Sequence, residues 1–347
     1  MGYDMGAGLS ERNKKILEAI IEDYIVTAEP VGSRAVARRH GLTLSPATVR
    51  NVMADLEEMG FLVSPHTSAG RVPTDKAYRF YVDSLLAVGT IDKAERERIR
   101  KRYSMAGRDI GAVLHETSKL LSSVSHYMGI VLAPRFSSTI FRHFEFVKLS
   151  GRRILAILVA QNGTVQNKLI ESAEELSTDD LVRMSNYLNE LLEGLHVSEV
   201  RAKILAEMQN EKVLYDTLLS RALKLSEQTI EDGGAQVFIE GQTNIFEQPE
   251  FTDARRMKEV FRAFEEKSQL IHLLDRSLSA EGVQIFIGAE TRLNQVEGLS
   301  VITSPYLSGK NTLGVLGVIG PTRMGYGKVI PIVDYTAKLV SRLLEDE

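Results

Sequence analysis

Arginine, asparagine, histidine and hydroxyl side chains are frequent between Ser33 and Arg71, and side chains of these kinds can recognise a polyanion. No Asp or Glu occurs from Pro30 to Ala54 or from Met59 to Thr74, although the whole chain has a net charge of −4. Arg and Asn can read base edges, while hydroxyl and basic groups bind phosphate oxygens. The candidate nucleic-acid contacts are Ser33, Arg34, Arg38, Ser45, Thr48, Arg50, Asn51, His66, Thr67, Ser68 and Arg71. A surface that binds only other proteins is the alternative interpretation.

A short helix beginning after Ser45 is predicted to present the central contacts. Ser45 is a suitable N-cap, and Pro46 suits the first helical position. Apolar residues then recur at helical spacing: Val49, Val52, Met53, Leu56 and Met59. The side chains facing away from that stripe, which we assign to base edges, are Thr48, Arg50 and Asn51. Acidic residues crowd the far end of the helix, so its basic start and the positive end of its dipole are both expected to face DNA.

The elements around this helix predict a helix-turn-helix with a β-hairpin wing. A first helix follows Ser10, and a second runs from about Ser33 to His40 and ends at Gly41. Arg34 and Arg38 of the second helix are expected near the DNA backbone.

The predicted wing carries Pro65–Arg71, with a glycine at its turn and Arg71 suited to an adjacent phosphate or the minor groove. Thr74 is then expected to cap a helix that runs to about Leu86. Residues 1–88 are therefore predicted to form a winged-helix DNA-binding domain, followed by a charged, helical linker at residues 89–108. The linker either lies near DNA phosphates or is a solvated spacer.

The remainder of the chain predicts an α+β architecture. A helix (109–126) and a buried strand (127–132) precede a three-stranded meander whose turns contain Ser150-Gly151 and Asn162-Gly163. Ser177 then opens a leucine-rich helical block, which is covered either by this chain or by a second copy. The last predicted elements are a strand at 236–240, helices at 252–280, strands at 283–288, 299–305 and 312–319, and a helix from about Ile332.

Composition and motifs point away from catalysis. The chain has no cysteine, and its seven histidines show no metal-ligand spacing. Phosphate-loop, dinucleotide-binding and nucleophile-elbow motifs are missing. We therefore expect a protein that is not an enzyme and has no cofactor or metal. No apolar run is long enough for a membrane span, and the start lacks signal-peptide features, so the expected location is cytoplasmic.

Several segments resemble the heat-inducible transcription repressors of bacteria. The N-terminal motifs are LSERNKKILEAIIEDYI, EPVGSRAVAR, LSPATVRNVMADLEEMGFL and HTSAGRVPTDKAYRFYVD. VIGPTRM and VIPIVDYTAKLVS resemble the C-terminal block of the same family. Ala77 stands where the family pattern has a glycine. The resemblance covers nearly the whole chain.

The resemblance implies a homodimeric repressor that binds an inverted-repeat operator upstream of chaperone operons in double-stranded DNA. It also implies that a chaperonin of the GroEL type keeps the repressor active until heat diverts the chaperonin. A GAF-like sensor domain would comprise residues 109–138 and 233–347, interrupted by an inserted α/β dimerisation domain at residues 139–232. The alternative is a winged-helix regulator gated by a small molecule in the GAF-like domain, whose ligand pocket the sequence leaves unknown.

Overall fold

The computed structural model describes residues 9–39, 44–66, 70–103, 110–134, 140–161, 165–208, 217–229, 236–265, 267–293, 296–309 and 311–345. The chain divides into two compact units. The first consists of Met1–Leu132 and Val237–Arg342, and the second consists of Ala133–Gln236 and Leu343–Glu347. The winged helix and the mixed α/β character expected from the sequence are confirmed.

The first unit begins with a winged helix. Its elements are α1 (Glu11–Thr27), α2 (Ser33–Arg39), α3 (Pro46–Glu58), β1 (Leu62–Val63), β2 (Val72–Pro73) and α4 (Asp75–Phe80), which continues into a π-helical turn (Tyr81–Leu85). The hydroxyl oxygens of Ser10, Ser45 and Thr74 accept backbone N–H groups at the starts of α1, α3 and α4. Each cap satisfies a donor that the helix itself leaves unpaired, so local sequence fixes where these helices begin.

The rest of the first unit is built on a five-stranded antiparallel sheet with the strand order β7-β3-β10-β9-β8. Its strands are β3 (Met128–Leu132), β7 (Val237–Glu240), β8 (Gln284–Ile287), β9 (Leu299–Ser308) and β10 (Asn311–Pro321). Its helices are α5 (Lys93–Tyr103), α6 (Ile110–Ser125), α10 (Gln242–Phe246), α11 (Ala254–Glu265), α12 (Lys267–Leu278) and α13 (Tyr326–Glu345). Short 3₁₀ turns lie at Pro249–Phe251 and Gly288–Thr291. Below, the sheet and these helices are called the sheet domain.

Helix α5 lies in the predicted linker, and part of it is buried. Ile99 and Tyr103 are almost fully buried, and the Tyr103 hydroxyl lies 2.8 Å from that of Thr117 on α6. One face of the charged segment is thus packed against α6, while its arginines remain on the other face.

The second unit is a three-stranded antiparallel sheet with helices on one face. Its elements are β4 (Phe141–Ser150), β5 (Arg153–Ala160), β6 (Val165–Glu171), α7 (Thr178–Leu192), α8 (Val197–Met208) and α9 (Thr217–Thr229). A capping box between Ser177 and Asp180 opens α7, as the sequence predicts. Within the described residues, most apolar side chains of these helices are buried in one core with the inner face of the sheet, so this chain itself covers that part of the block, while Leu205 is 40% exposed.

Candidate nucleic-acid interface

Helix α3 presents a polar, cationic beginning to solvent. Ser45 Oγ accepts the backbone N–H of Thr48 at 3.1 Å and lies 3.0 Å from the Thr48 hydroxyl. Val49 is buried, whereas the neighbouring Arg50 and Asn51 are exposed. The apolar periodicity therefore places two of the three candidate base-reading side chains, Arg50 and Asn51, on the exposed side of the helix.

Helix α2 adds two exposed arginines. Arg34 and Arg38 lie on its outer side, Val36 between them is fully buried, and Ser33 is half-buried at the first position. Arg34, Arg38 and Arg50 form no ion pair with a carboxylate of the described residues. Their charges are therefore available to an incoming anion. The predicted helix end at His40 and Gly41 lies outside the described residues.

The wing is a short hairpin tied to the segment before α2. Strands β1 and β2 pair antiparallel, and Val31 and Arg71 exchange two backbone hydrogen bonds of 2.9 Å. A Cβ at Gly70 would lie 2.5 Å from the carbonyl carbon and oxygen of Val31, so this position requires glycine. His66 is exposed, and its carbonyl accepts the Ser64 hydroxyl at 2.8 Å. The candidate residues Thr67 and Ser68 lie outside the described residues.

Arg71 lies at the base of the wing, where its guanidinium is already engaged. Nη2 and Nε lie 2.8 and 2.9 Å from the same oxygen of Glu57, at the far end of α3. Nη1 donates to Ser64 Oγ at 3.3 Å. A contact of Arg71 with an adjacent phosphate or the minor groove stays a prediction, and in this structure Arg71 joins the wing to the recognition helix.

The sequence reasoning missed the residues that hold the end of α3. Lys76 Nζ donates to the Met59 carbonyl at 2.8 Å and lies 4.5 Å above the Phe61 ring. The Thr74 hydroxyl donates to the carbonyl of Gly60 at 2.8 Å. Lys76 lies 17 residues beyond Met59 in the chain, so no local pattern marks it, although a cation is favoured at the negative end of a helix once packing brings it there. The Glu57–Arg71 pair likewise has no local pattern.

These features define the class of protein. Two short consecutive helices, the second with an exposed polar and cationic beginning, and a hairpin wing are the parts of a winged helix-turn-helix DNA-binding regulator. No helix among the described residues is both long and apolar enough to span a bilayer.

Comparison with known families gives the same class and names it. The family model described as "Winged helix-turn-helix transcription repressor, HrcA DNA-binding" matches residues 8–84, and "HrcA protein C terminal domain" matches residues 111–330. The chain belongs to the HrcA family of heat-inducible transcription repressors, which are DNA-binding regulators and not enzymes.

Individual relatives agree with this assignment over nearly the full length. The heat-inducible transcription repressor HrcA of Geobacter sulfurreducens is 81% identical over 339 residues, which cover 98% of this chain and 99% of that protein. The protein of the same name from Syntrophobacter fumaroxidans is 46% identical over 341 residues, covering 97% and 98% of the two chains. A crystal structure of a hypothetical protein at 2.2 Å resolution has the same fold, with a TM-score of 0.64, 22% identity and coverage of 97% of this chain and 99% of that one.

Proposed function

We propose that this repressor binds an inverted-repeat operator upstream of chaperone operons as a homodimer, with one winged helix on each half-site. The observation that carries the proposal is the exposed, acid-free beginning of α3, where Arg50 and Asn51 point outward beside the arginines of α2. Two-fold symmetry of a dimer matches an inverted repeat. A regulator that acts on the chromosome of a bacterium works in the cytoplasm.

The contacts divide by chemistry. Thr48, Arg50 and Asn51 read base edges in the major groove, because arginine and asparagine make bidentate contacts with guanine and adenine. Ser45 and the first amides of α3 hold a phosphate at the positive end of the helix dipole. Ser33, Arg34 and Arg38 bind the backbone on one side of the groove.

The wing supplies the second set of contacts. His66, Thr67 and Ser68 reach the sugar-phosphate backbone beside the half-site. Arg71 holds the wing in register with α3, and it contacts a phosphate directly only if it exchanges Glu57 for that phosphate.

Dimerisation is assigned to the inserted domain, residues 139–232. The outer face of its three-stranded sheet carries cross-strand apolar pairs, Leu155 with Leu169 and Val159 with Val165. Leu169 and Val165 are more than half exposed, at 56% and 52%. Exposed apolar patches of this kind mark protein interaction sites.

Leu169→Glu is expected to give monomers in sedimentation experiments, whereas Val182→Glu, at an equally exposed site on α7, should leave the dimer intact. A dimeric Leu169→Glu protein would contradict this interface.

The remaining part of the proposal rests on family membership. Residues 109–138 and 233–347 form a GAF-like domain, and a chaperonin of the GroEL type keeps the repressor active until heat diverts it. In a purified system, added chaperonin should raise the operator-binding fraction of heat-treated repressor. An unchanged fraction would argue against chaperonin control.

A cleft supports a second candidate, control by a small molecule. It has a volume of about 650 Å³ and lies beside the Gly288–Thr291 turn, with Arg256 and Arg292 among its lining residues. Asp75 and Glu297 also line it, so the cleft carries both signs of charge, and an anionic ligand would bind to the two arginines. Inorganic phosphate and nucleotides can be screened by thermal shift, and a saturable rise in Tm that Arg256→Gln abolishes would favour this candidate.

The experiment that tests the main proposal is operator binding by Arg50→Ala. Loss of a bidentate base contact should cost about 1–3 kcal/mol on the inverted repeat and relax discrimination at one base pair of each half-site. Arg255→Ala, at an arginine on α11 that is 85% exposed and has no assigned DNA contact, serves as the control. Equal losses on operator and scrambled duplexes would show that Arg50 touches only phosphate, and no preference of the unaltered protein for an inverted repeat would refute the operator proposal.

A further inference from the structure

We propose that three polar contacts between the winged helix and the sheet domain act as a latch that sets the orientation of α3. The latch consists of the Arg79–Glu290 pair, the Asp75–Ala289 hydrogen bond and the contacts of Arg323 with Ile25 and Glu250. Its residues are positioning residues for DNA recognition, and none of them belongs to the proposed DNA contacts. The inference rests on the proposed dimeric operator binding for its consequence, but not for its structure.

The first contact is a forked ion pair. Arg79 of α4 binds both carboxylate oxygens of Glu290, with Nε at 3.0 Å from Oε1. Its Nη2 also donates to the carbonyl of Ile285 at 2.6 Å. The Arg79 side chain is only 18% exposed. Glu290 is itself fixed, because its Oε2 accepts the backbone N–H of Ile287 at 3.0 Å. A planar guanidinium held at both of these partners allows little rotation of α4.

The second contact brings the start of α4 against the same turn. Asp75 Oδ2 accepts the backbone N–H of Ala289 at 3.1 Å. Gly288 has a φ of +53°, and a Cβ there would lie 1.8 Å from Asp75 Oδ2. The turn therefore needs glycine both for its left-handed backbone and for the approach of the carboxylate.

The third contact is at the C-terminal end of α1. Arg323 follows β10 and is ion-paired with Glu250 through Nε and Nη2, with side chains only 11% and 20% exposed. Its Nη1 donates at 3.1 Å to the carbonyl of Ile25, in the last turn of α1. Carbonyls in the last turn of a helix lack intrahelical partners, so a cation is favoured there.

Together the three contacts hold the winged helix at separate points on two of its helices, α4 and α1. Asp75 and Arg79 hold α4, whereas Arg323 holds the C-terminal end of α1. Helix α3 packs on α1 through a core that contains the fully buried Ile20 and Leu56. Tyr78 of α4 also packs against Tyr326 of α13, with ring centroids 6.2 Å apart. Losing one of the three polar contacts should therefore widen the range of orientations of the winged helix without unfolding its core, and α3 would move with it.

The latch matters for a dimer because an inverted repeat fixes the spacing between two recognition helices. If the sheet domain holds each winged helix in one orientation, binding of the first half-site places the second winged helix at a high effective concentration near the second half-site. If the winged helix swings freely, each half-site is still recognised, but binding of the two is less strongly coupled.

The test uses the full-length chain, whose lack of cysteine allows specific spin labels. Labels at Ala54→Cys on α3 and Lys338→Cys on α13 report the distance between the winged helix and the sheet domain, measured with excess unlabelled chain. Arg323→Gln and the near-isosteric Glu290→Gln are compared with the control Arg255→Gln, which removes an exposed ion pair with Glu259 on α11. Near-UV circular dichroism establishes that each variant is folded. Both latch variants should broaden the distance distribution, and the control should not.

Duplex binding gives the functional readout. Both latch variants should bind a single half-site within about twofold of the unaltered protein. Their affinity for the full inverted repeat should fall about tenfold or more, and their preference for one half-site spacing should weaken. Unchanged distance distributions in both variants, or equal losses on the half-site and the full repeat, would overturn the latch. An unaltered protein that binds the full repeat no better than a half-site would instead refute the proposed dimeric function, while the distance measurement would still decide the latch.

Discussion

Replacing Arg71 by alanine tests whether this arginine holds the wing or neutralises DNA. Its guanidinium lies 2.8 Å from a Glu57 oxygen, and the two side chains are 26% and 34% exposed. At this distance Coulomb attraction amounts to about 1.5–6 kcal/mol for dielectric constants between about 80 and 20. Solvent screening and side-chain entropy reduce the net contribution of such partly exposed pairs to about 1 kcal/mol or less. Arg71→Ala should therefore loosen the wing and weaken operator binding by a factor of about five at most.

The salt dependence separates the two roles more sharply than affinity does. Each phosphate neutralised by a free cation contributes about 0.9 to the slope of log K against log salt concentration. The charge of Arg71 is offset by Glu57, so Arg71→Ala should change the slope by less than about 0.3. Glu57→Gln should steepen the slope by up to about 0.9, because it releases the guanidinium to the nearest phosphate. Arg38→Ala, which removes an arginine without an acidic partner among the described residues, should make the slope shallower by about 0.9.

Fluorescence anisotropy with a labelled inverted repeat, at salt concentrations between about 50 and 200 mM, measures these slopes. The reasoning fails if Arg71→Ala lowers the slope as much as Arg38→Ala does. That result would mean that Arg71 leaves Glu57 when DNA binds and serves as a phosphate contact.

Three further predictions concern stability and are measured by urea unfolding. Gly70→Ala should lower the free energy of unfolding by about 1–3 kcal/mol, because its Cβ would meet the Val31 carbonyl. Gly89→Ala, with open space around it, should leave the free energy of unfolding almost unchanged. Equal effects of the two substitutions would contradict the close approach at Gly70. Tyr78→Phe should leave the free energy of unfolding unchanged or raise it, since the buried Tyr78 hydroxyl has no hydrogen-bond partner among the described residues. Tyr326→Phe should lower the free energy of unfolding by about 1 kcal/mol, because it removes hydrogen bonds to Ser300 and Thr322. A larger loss for Tyr78→Phe than for Tyr326→Phe would refute this prediction. Burial raises the pKa of Tyr81 from 10.0 to about 12. The folded state therefore retains a proton that the unfolded chain loses, so stability should be constant up to about pH 10 and fall as the pH rises towards 12. A flat profile over that range, or one that Tyr81→Phe leaves unchanged, would contradict this assignment.

Local signals in the sequence predicted the framework well. Ser45, Thr74 and Ser177 each cap a helix at the predicted position, because a cap depends only on the next three residues. The meander of the second unit also has its predicted strands, since Ser150-Gly151 joins two runs of alternating apolar residues. Exposure of Arg50 and Asn51 followed from the apolar stripe beside them. These features need no knowledge of distant residues.

The C-terminal helix shows where a local signal misleads. The sequence suggested a start near Ile332, directly after Pro331, a residue type that is disfavoured inside helices. The helix instead begins at Tyr326 and contains Pro331 in its interior. Proline at this point removes one backbone donor, and its ring crowds the carbonyl of Gly327, four residues earlier. Tyr326 is fully buried, so tertiary packing outweighs the local preference.

Long-range contacts could not be predicted from local pattern at all. Arg79 and Glu290 are 211 positions apart, and Arg323 and Ile25 are 298 positions apart. Charged residues are common along the chain, so nothing in the sequence distinguishes these arginines from exposed ones. The same limit applies to Arg71, which looked like a free wing cation because its partner lies on another element.

The acidic end of α3 therefore has two physical roles. From the sequence, the acids at this end are an electrostatic guide that turns the helix start towards DNA. In the structure, Glu57 also anchors the wing through Arg71, and Lys76 caps the carbonyl of Met59. A cationic residue in place of Glu57 would thus add attraction for DNA while releasing the wing, and the two effects would oppose each other in affinity. An acid at this position keeps the wing fixed to the recognition helix, so that the wing and the cationic start of α3 can meet the same half-site together.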